Sequence, residues 1–488
     1  MFSLTPKQGK LLFSVLMAAS LVIFLAGLGK QAFLDYDEAT YAQVAKEAVQ
    51  SGDYFSFTLW GQGWLDKPPF YFWMGILSAK FFGFSEFALR LPSALCGIIA
   101  VALTWLFVLK LSKNYGVAFL AGAILLFMGE FAFAARELRL DVPVATAILA
   151  SVYFFIRGWE NGKWFLAMGA TLAIGVLTKS IVGLFAFPAI LAFSLAYRRF
   201  CWLKSAYFWA GIILAVGLAA PWHIYEARVY GKEFWDTYVV YHLFGRASQA
   251  IIGSGVTIRH YIKYFFILTQ PWASIFIGLL VWQITRQGKK LKNWNPMSLG
   301  ALLSFLAIFA IFAVSVTKLF YYLEPIYPFM AVFIASSLYD FTGHIKMERK
   351  KILAAAGFLI IIGICNTYWQ VFNLREGFSE EYGIAGWERE AGKIVSLEKL
   401  NGGESNAPVY SLEWNWLESL SYYGGEKVNM LTGDEIAGEA FYLITPAKLF
   451  NYYRPSKVFR ERARLISGNE TFEVYILKNG EQGKIYKQ

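Results

Sequence analysis

Eleven apolar runs, each near the length of a bilayer crossing, occupy most of the first 370 residues. They fall at roughly 11–29, 88–109, 116–135, 140–156, 164–178, 180–197, 206–222, 261–285, 298–316, 321–339 and 352–370. Water cannot accommodate that much apolar surface. The pattern prescribes an α-helical polytopic membrane protein, because a helix satisfies its backbone polar groups within the segment that crosses the lipid. Composition agrees, with 57% of the 488 residues hydrophobic, 16% charged and a mean hydropathy of +0.45. The first run lacks a small-residue cleavage motif and reads as a retained span rather than a removed signal peptide. The fifth and sixth runs meet at Lys179 with almost no loop.

Charge supplies the orientation. With Lys7 and Lys10 placed in the cytoplasm, every even-numbered run exits into a basic loop. These loops carry Lys110 and Lys113; Arg157 and Lys163; Arg198, Arg199 and Lys204; Arg286, Lys289, Lys290 and Lys292; then Lys346, Arg349, Lys350 and Lys351. The net charge of +11 therefore reports membrane orientation, and no nucleic-acid partner is expected. Three sizeable segments remain outside: 30–87, 223–260 and 371–488. The expected organisation is a transmembrane unit over 1–370, with those first two segments as outer loops, followed by an outer unit over 371–488. Cys96, Cys201 and Cys365 suggest neither a disulfide framework nor a cysteine metal cluster. No inverted internal repeat is visible, which weakens a transporter reading.

The tail is less apolar. APVYSLEWNWLESLSYYGG reads as strand, helix and Gly stop; AFYLITPAKLFNYY repeats the scheme; FEVYILKN is a third strand. A small α/β domain on the outer face is expected.

The first outer loop begins FLDYDEATYAQVAKEAVQSGDY, with Asp35, Asp37 and Glu38 directly beyond the first span. Asp35 or Asp37 can simply cap a helix running to about Gln50 and stopped by Ser51-Gly52. The same loop continues through WLDKPP, which sets Asp66 beside Lys67 ahead of two prolines, and then an apolar, aromatic segment over 70–84 that reads as interfacial. Charge held near lipid head groups is costly and often functional. The same membrane face receives Asp141, Lys179, His242, Arg246, Lys318, Tyr321, Tyr322 and Glu324. Each has a plain alternative. Lys179 and Lys318 can snorkel, the tyrosines can belong to an interfacial belt, His242 can be structural, and Arg246 can neutralise a head group.

In order along the chain, DEATYAQVAKEAVQSGDY, LDKPPFYFW, FALRLPSAL, LTKSIVG, PWHIY and KLFYYLEPIYPF resemble the ArnT-like and protein-mannosyltransferase superfamily of polyprenyl-phosphate-sugar glycosyltransferases. The usual strings there look like DEARYAE, EKPP, RLPSAL, LTKGP, PWY and KLPYYLLP. The resemblance implies a GT-C type fold with about 11–13 transmembrane helices, a structured first periplasmic loop and a small C-terminal periplasmic α/β domain. It implies catalytic roles for Asp37, Asp141 and Glu38. Lys67, Arg246, Tyr322, Lys179 and Lys318 would bind the donor phosphate, and Asp66 with His242 would hold a divalent metal such as Zn, Mg or Mn. This chain departs from the pattern at Thr40, at Asp66 in place of Glu, and at Ser180-Ile181 in place of Gly-Pro.

The implied protein is a monomeric enzyme of the bacterial inner membrane, N-terminus cytoplasmic. It would move a sugar from a polyprenyl phosphate to lipid A or another envelope glycolipid. A protein O-mannosyltransferase-like enzyme and a glycolipid transporter are the alternatives.

Overall fold

The structure is a computed structural model describing residues 4–33, 37–245, 257–287, 293–344, 349–373, 387–401, 406–411, 417–431, 440–446, 463–468 and 472–477. The membrane unit opens with α1 (Pro6–Leu25), where Thr5 and Gln8 form a capping box around Pro6 at the first helical position. After the chain leaves α1 comes α2 (Asp37–Ser51), and Gly52 ends it at φ 75°. A two-residue hairpin follows, β1 (Thr58–Leu59) with β2 (Gln62–Gly63), and then the apolar α3 (Phe70–Phe82). Leu77, Phe81 and Phe82 are exposed on α3, as a helix lying against lipid requires.

Ser85 caps α4 (Glu86–Ser112), and Asn114 caps α5 (Tyr115–Leu126). The short α6 (Gly129–Ala134), α7 (Asp141–Gly158), α8 (Trp164–Lys179), α9 (Ala186–Tyr197) and α10 (Ala206–Tyr230) follow. Beyond a wide, π-type segment at Trp235–Gly245 come α11 (Ile258–Leu268), α12 (Trp272–Gln287), α13 (Pro296–Val314), α14 (Tyr327–His344) and α15 (Arg349–Tyr368). Small residues let these helices meet closely. A Cβ on Gly169 of α8 would lie 1.9 Å from the Gly211 carbonyl oxygen of α10, so only glycine fits that crossing.

All eleven predicted runs are helical, but fewer helices can span a bilayer. Among the described residues six stretches are long and apolar enough, or seven if the bent pair 261–268 and 272–286 is one span. The shortfall has local causes. The run 116–135 divides between α5 and α6, 352–370 yields only a shorter apolar helix, and 321–339 starts as a 3-10 turn. Runs five and six together make one stretch, 164–197. It is not a straight rod: Ser180 has φ 51°, and a Cβ on Gly183 would lie 2.2 Å from the Gly175 carbonyl carbon. Residues eight apart in a continuous helix stand about 12 Å apart. The chain thus doubles back for one turn after Lys179 before resuming as α9.

The tail folds α16 (Trp387–Leu400) and α17 (Leu417–Gly424) around a five-stranded sheet. Its strands are β3 (Val409–Ser411), β4 (Val428–Met430), β5 (Phe441–Pro446), β6 (Ala463–Gly468) and β7 (Phe472–Leu477), in the order β4-β3-β5-β7-β6. The first three are mutually parallel and the last two join antiparallel. The predicted strand–helix–Gly unit is β3–α17–Gly425, the latter at φ 78°. The second predicted strand is β5, its helix lying outside the described residues, and FEVYILKN contains β7. Strands β4 and β6 and helix α16 were not expected.

This sheet unit docks on the outer loop through Tyr422 and Tyr423 of α17. Phe33 N–H donates to the Tyr423 hydroxyl at 2.8 Å, and that hydroxyl donates to Glu86 Oε1 at 2.8 Å. Tyr422 packs edge-on against the Phe33 ring, 5.2 Å between centroids.

Candidate active site

A cavity of about 290 Å³ opens where the first loop, the α8 terminus, the π-type segment and the end of α13 converge. Its charged and polar lining is Asp66, Lys67, Lys179, Ser180, Tyr238, His242, Ser315 and Tyr322. The rest is apolar, including Phe185, Ile311 and Phe312. Asp66, Lys67, Lys179, His242 and Tyr322 were all expected to meet, and they come from four segments separated by up to 256 residues, from Asp66 to Tyr322.

The prolines after Lys67 begin α3 and fix where the pair sits. Asp66 Oδ1 and His242 Nε2 are 2.8 Å apart. Two donors of one divalent ion stand about this far apart, so the carboxylate and imidazole fit two positions of a metal shell. Among the described residues no group of three or more His, Cys, Asp and Glu side chains is placed to hold a metal. Lys179, at the last turn of α8, forms an ion pair with Asp141, the first residue of α7. Its ammonium also lies 5.0 Å from the Tyr322 ring and 5.8 Å from that of Tyr321. Lys318 stands off the cavity wall, donating to the Ser315 carbonyl at 2.6 Å. Arg246 and Asp35 lie outside the described residues.

Asp37 is the first residue of α2 and 24% exposed, with Arg139 Nη2 3.5 Å away. The Arg139 guanidinium covers the Tyr321 ring at 4.1 Å, which ties Asp37 to the Tyr321-Tyr322 edge of the cavity. One turn along α2, buried Tyr41 has its hydroxyl pKa held well above the usual range, by burial first and then by the charges of Asp37 and Asp141. It remains a neutral hydroxyl among acids. The sequence reading missed Arg139, Tyr41 and Tyr238. Tyr41 is four after Asp37 and Tyr238 four before His242, so helical spacing was the available signal for both, whereas Arg139, outside the helix that Asp141 begins, carried none.

Glu38, grouped with the catalytic acids from sequence, is a correction. Its carboxylate is 1% exposed and takes a bidentate grip from Arg90, Nε to Oε1 at 2.8 Å and Nη2 to Oε2 at 2.7 Å. The Leu138 N–H also donates to Oε1, at 2.6 Å. Those bonds turn it inward, away from the cavity.

Against known proteins, the family described as dolichyl-phosphate-mannose-protein mannosyltransferase matches residues 66–225. An uncharacterised protein of Aquifex aeolicus is 27% identical over 350 residues, 70% of this chain and 66% of its own. An undecaprenyl phosphate-alpha-4-amino-4-deoxy-L-arabinose arabinosyl transferase of Aeromonas hydrophila is 24% identical over 388 residues, covering 77% of this chain and 68% of its own. The chain thus spans about two thirds of the length of these relatives. The crystal structure of apo ArnT from Cupriavidus metallidurans superposes with TM-score 0.72 at 16% identity, covering 98% of this chain and 100% of that one. Fold, ordered strings and relatives agree: the chain is similar, over most of its length, to the ArnT-like and protein-mannosyltransferase superfamily of GT-C glycosyltransferases.

Proposed function

We propose that this protein transfers a sugar from a polyprenyl phosphate to an acceptor at the extracytoplasmic face of the inner membrane, with lipid A as acceptor and 4-amino-4-deoxy-L-arabinose as sugar. The observation that carries the reading is a cavity lined by cationic and aromatic-hydroxyl groups together with apolar side chains, which suits a phosphate joined to a hydrocarbon chain. The sugar and carrier are suggested by the names of the relatives, and ArnT of Cupriavidus metallidurans has been solved bound to undecaprenyl phosphate.

Breaking the sugar–phosphate bond leaves negative charge on the lipid phosphate and oxocarbenium character on the sugar. Lys67 and Lys179, with Arg246 as a further cation, would hold that phosphate, and Tyr322 would donate its hydroxyl; Lys318, bonded to the Ser315 carbonyl off the wall, is left out of the set. Cations fixed in a water-poor site need no reorganisation as the charge develops. A divalent ion held by Asp66 and His242 would add Lewis-acid help at the same phosphate. Asp37 and Asp141 are the candidate bases for a hydroxyl acceptor. An ionised phosphate oxygen on lipid A needs no base, and Asp37 would then orient the acceptor or bind the sugar amine. The Lys179–Asp141 ion pair favours Asp37 for either task.

Protein purified in nanodiscs, given undecaprenyl-phosphate aminoarabinose and lipid A, should release undecaprenyl phosphate one-for-one with modified lipid A; no release overturns the reading. Lys67→Ala should weaken donor affinity about tenfold, near 1.4 kcal/mol. Unchanged affinity removes Lys67 from the phosphate site.

A further inference from the structure

The cavity wall has a second polarity. Lys67, Lys179 and the Tyr322 hydroxyl can all donate, as a phosphate requires. Tyr238 is arranged differently. It is 2% exposed, reaches the cavity from the π-type segment, and is clamped by the stacked Phe234 ring at 4.9 Å. Its hydroxyl lies 2.9 Å from His223 Nε2, while His223 Nδ1 lies 2.9 Å from the Ala219 carbonyl oxygen. A carbonyl only accepts, so Nδ1 carries the ring proton, and in the uncharged ring Nε2 is left as an acceptor. The Tyr238 proton therefore points to His223, and its oxygen lone pairs face elsewhere. The Ser180 side chain lies beside that hydroxyl, on the same cavity wall.

Ser180 sharpens the point. It adopts φ 51°, ψ −129°, a conformation natural to glycine and strained by any side chain. The superfamily string has Gly there, and PWHIY places His223 where the string has Tyr. This chain departs at both positions, and both departures converge on one hydroxyl.

We propose that Tyr238, its proton held by His223, is a substrate contact that accepts a hydrogen bond from a hydroxyl or amine of the donor sugar. A phosphate cannot satisfy this oxygen, since both would be acceptors. The cavity so divides into a donor-lined end for phosphate and an acceptor-lined end for sugar. Tyr238 sets sugar specificity, and His223 is a positioning residue. The inference rests on the glycosyltransferase reading above.

Full-length protein in nanodiscs provides the test, by equilibrium binding of undecaprenyl phosphate, of undecaprenyl-phosphate aminoarabinose, and of donors in which one sugar hydroxyl or amine at a time is replaced by hydrogen. Tyr238→Phe should weaken the complete donor about tenfold, near 1.4 kcal/mol, and leave undecaprenyl phosphate within about twofold. One of the deoxy donors should bind the variant and the wild type equally. His223→Leu should reproduce part of the loss, and His223→Gln should restore it, because an amide oxygen can accept where Nε2 does. Equal losses for undecaprenyl phosphate and complete donor, or no loss for any donor, overturn the inference while leaving the enzyme reading intact. A wild type that binds neither undecaprenyl phosphate nor any donor overturns both.

Discussion

Two acidic side chains adjacent in sequence, Asp37 and Glu38, enter two clusters built by different rules. Around Glu38 every bond is made. Arg90 is fully buried and uses all five of its donors: two on Glu38, and three on the carbonyls of Leu28, Gln31 and Ala32 at 2.8–3.2 Å. Around Asp37 the geometry is looser. Its approach to Arg139 is 3.5 Å, the carboxylate is a quarter exposed, and Arg139 lies over an aromatic ring. The first cluster fixes the end of α1, the start of α2 and the start of α4 relative to one another. The second has charge still open to substrate. A single turn of helix thus carries a scaffold residue and a candidate catalytic one, and burial with completed bonding tells them apart.

The comparison breaks if the two acids fail to separate on mutation. Arg90→Ala strands a buried carboxylate and should cost about 3–5 kcal/mol of stability, read as loss of folded protein or a large fall in Tm. Replacing both partners, with Glu38→Met and Arg90→Leu, should recover most of it, since a paired apolar substitution is often close to neutral. Asp37→Asn should leave Tm unchanged and lower transfer a hundredfold or more, within the range of about 10²–10⁴ associated with a positioned acid or base. An Asp37→Asn protein that melts early, or turns over normally, would move Asp37 into the scaffold.

The divide explains what the sequence could reveal. Apolar period and length exposed the helices, and Ser51-Gly52 correctly marked the stop of α2, whose φ of 75° needs glycine. Sidedness from the basic loops was enough to gather Asp66, Lys67, Lys179, His242 and Tyr322. Pairing was not legible. Arg90, 52 residues from Glu38, looks like an ordinary flanking cation of a span, and DEA reads as a uniform acidic patch. Helix interruption was equally hidden, because nothing at Phe127–Met128 breaks the apolar run where α5 ends. In the tail, β4 and β6 are edge strands, β4 only three residues long, and their place in the sheet depends on the strands they pair with.

A smaller effect should come from the clamp between the tail and the same loop. Tyr423→Phe removes the hydroxyl that accepts from Phe33 N–H and donates to Glu86, and should cost about 1–3 kcal/mol. Phe33 lies four residues before Asp37, and its ring sits 5.3 Å from the Arg90 guanidinium. Hydrogen exchange should therefore rise at the Phe33 amide and along the start of α2, with a fall in transfer rate and little change in donor affinity. If the exchange stays confined to α17, the tail does not brace the loop.

The smallest effect separates a carboxylate that organises a turn from one that serves the cavity. Glu47 of α2 holds the β1–β2 hairpin: Oε1 accepts from Trp60 N–H at 2.7 Å and from Gln43 at 2.8 Å, and Oε2 accepts from Thr58 at 2.7 Å and Gly61 N–H at 3.2 Å. Trp60 and Gly61 both have positive φ, 53° and 74°, the backbone of a tight hairpin turn. Partial burial pushes the Glu47 pKa up, but those four donors outweigh it and leave the pKa below its usual value. A carboxyl whose folded pKa is depressed stabilises above the unfolded value of about 4.3, and that stabilisation disappears as pH falls through the folded value. Glu47→Gln keeps the shape but turns an N–H₂ toward other N–H donors. Wild type should therefore exceed the variant by about 1 kcal/mol at pH 7. The gap should hold down to about pH 5 and close as the pH drops below about 4, as melting curves across that range would read. A gap that persists unchanged into acid would mean that size and packing at residue 47, not the charge, hold the turn.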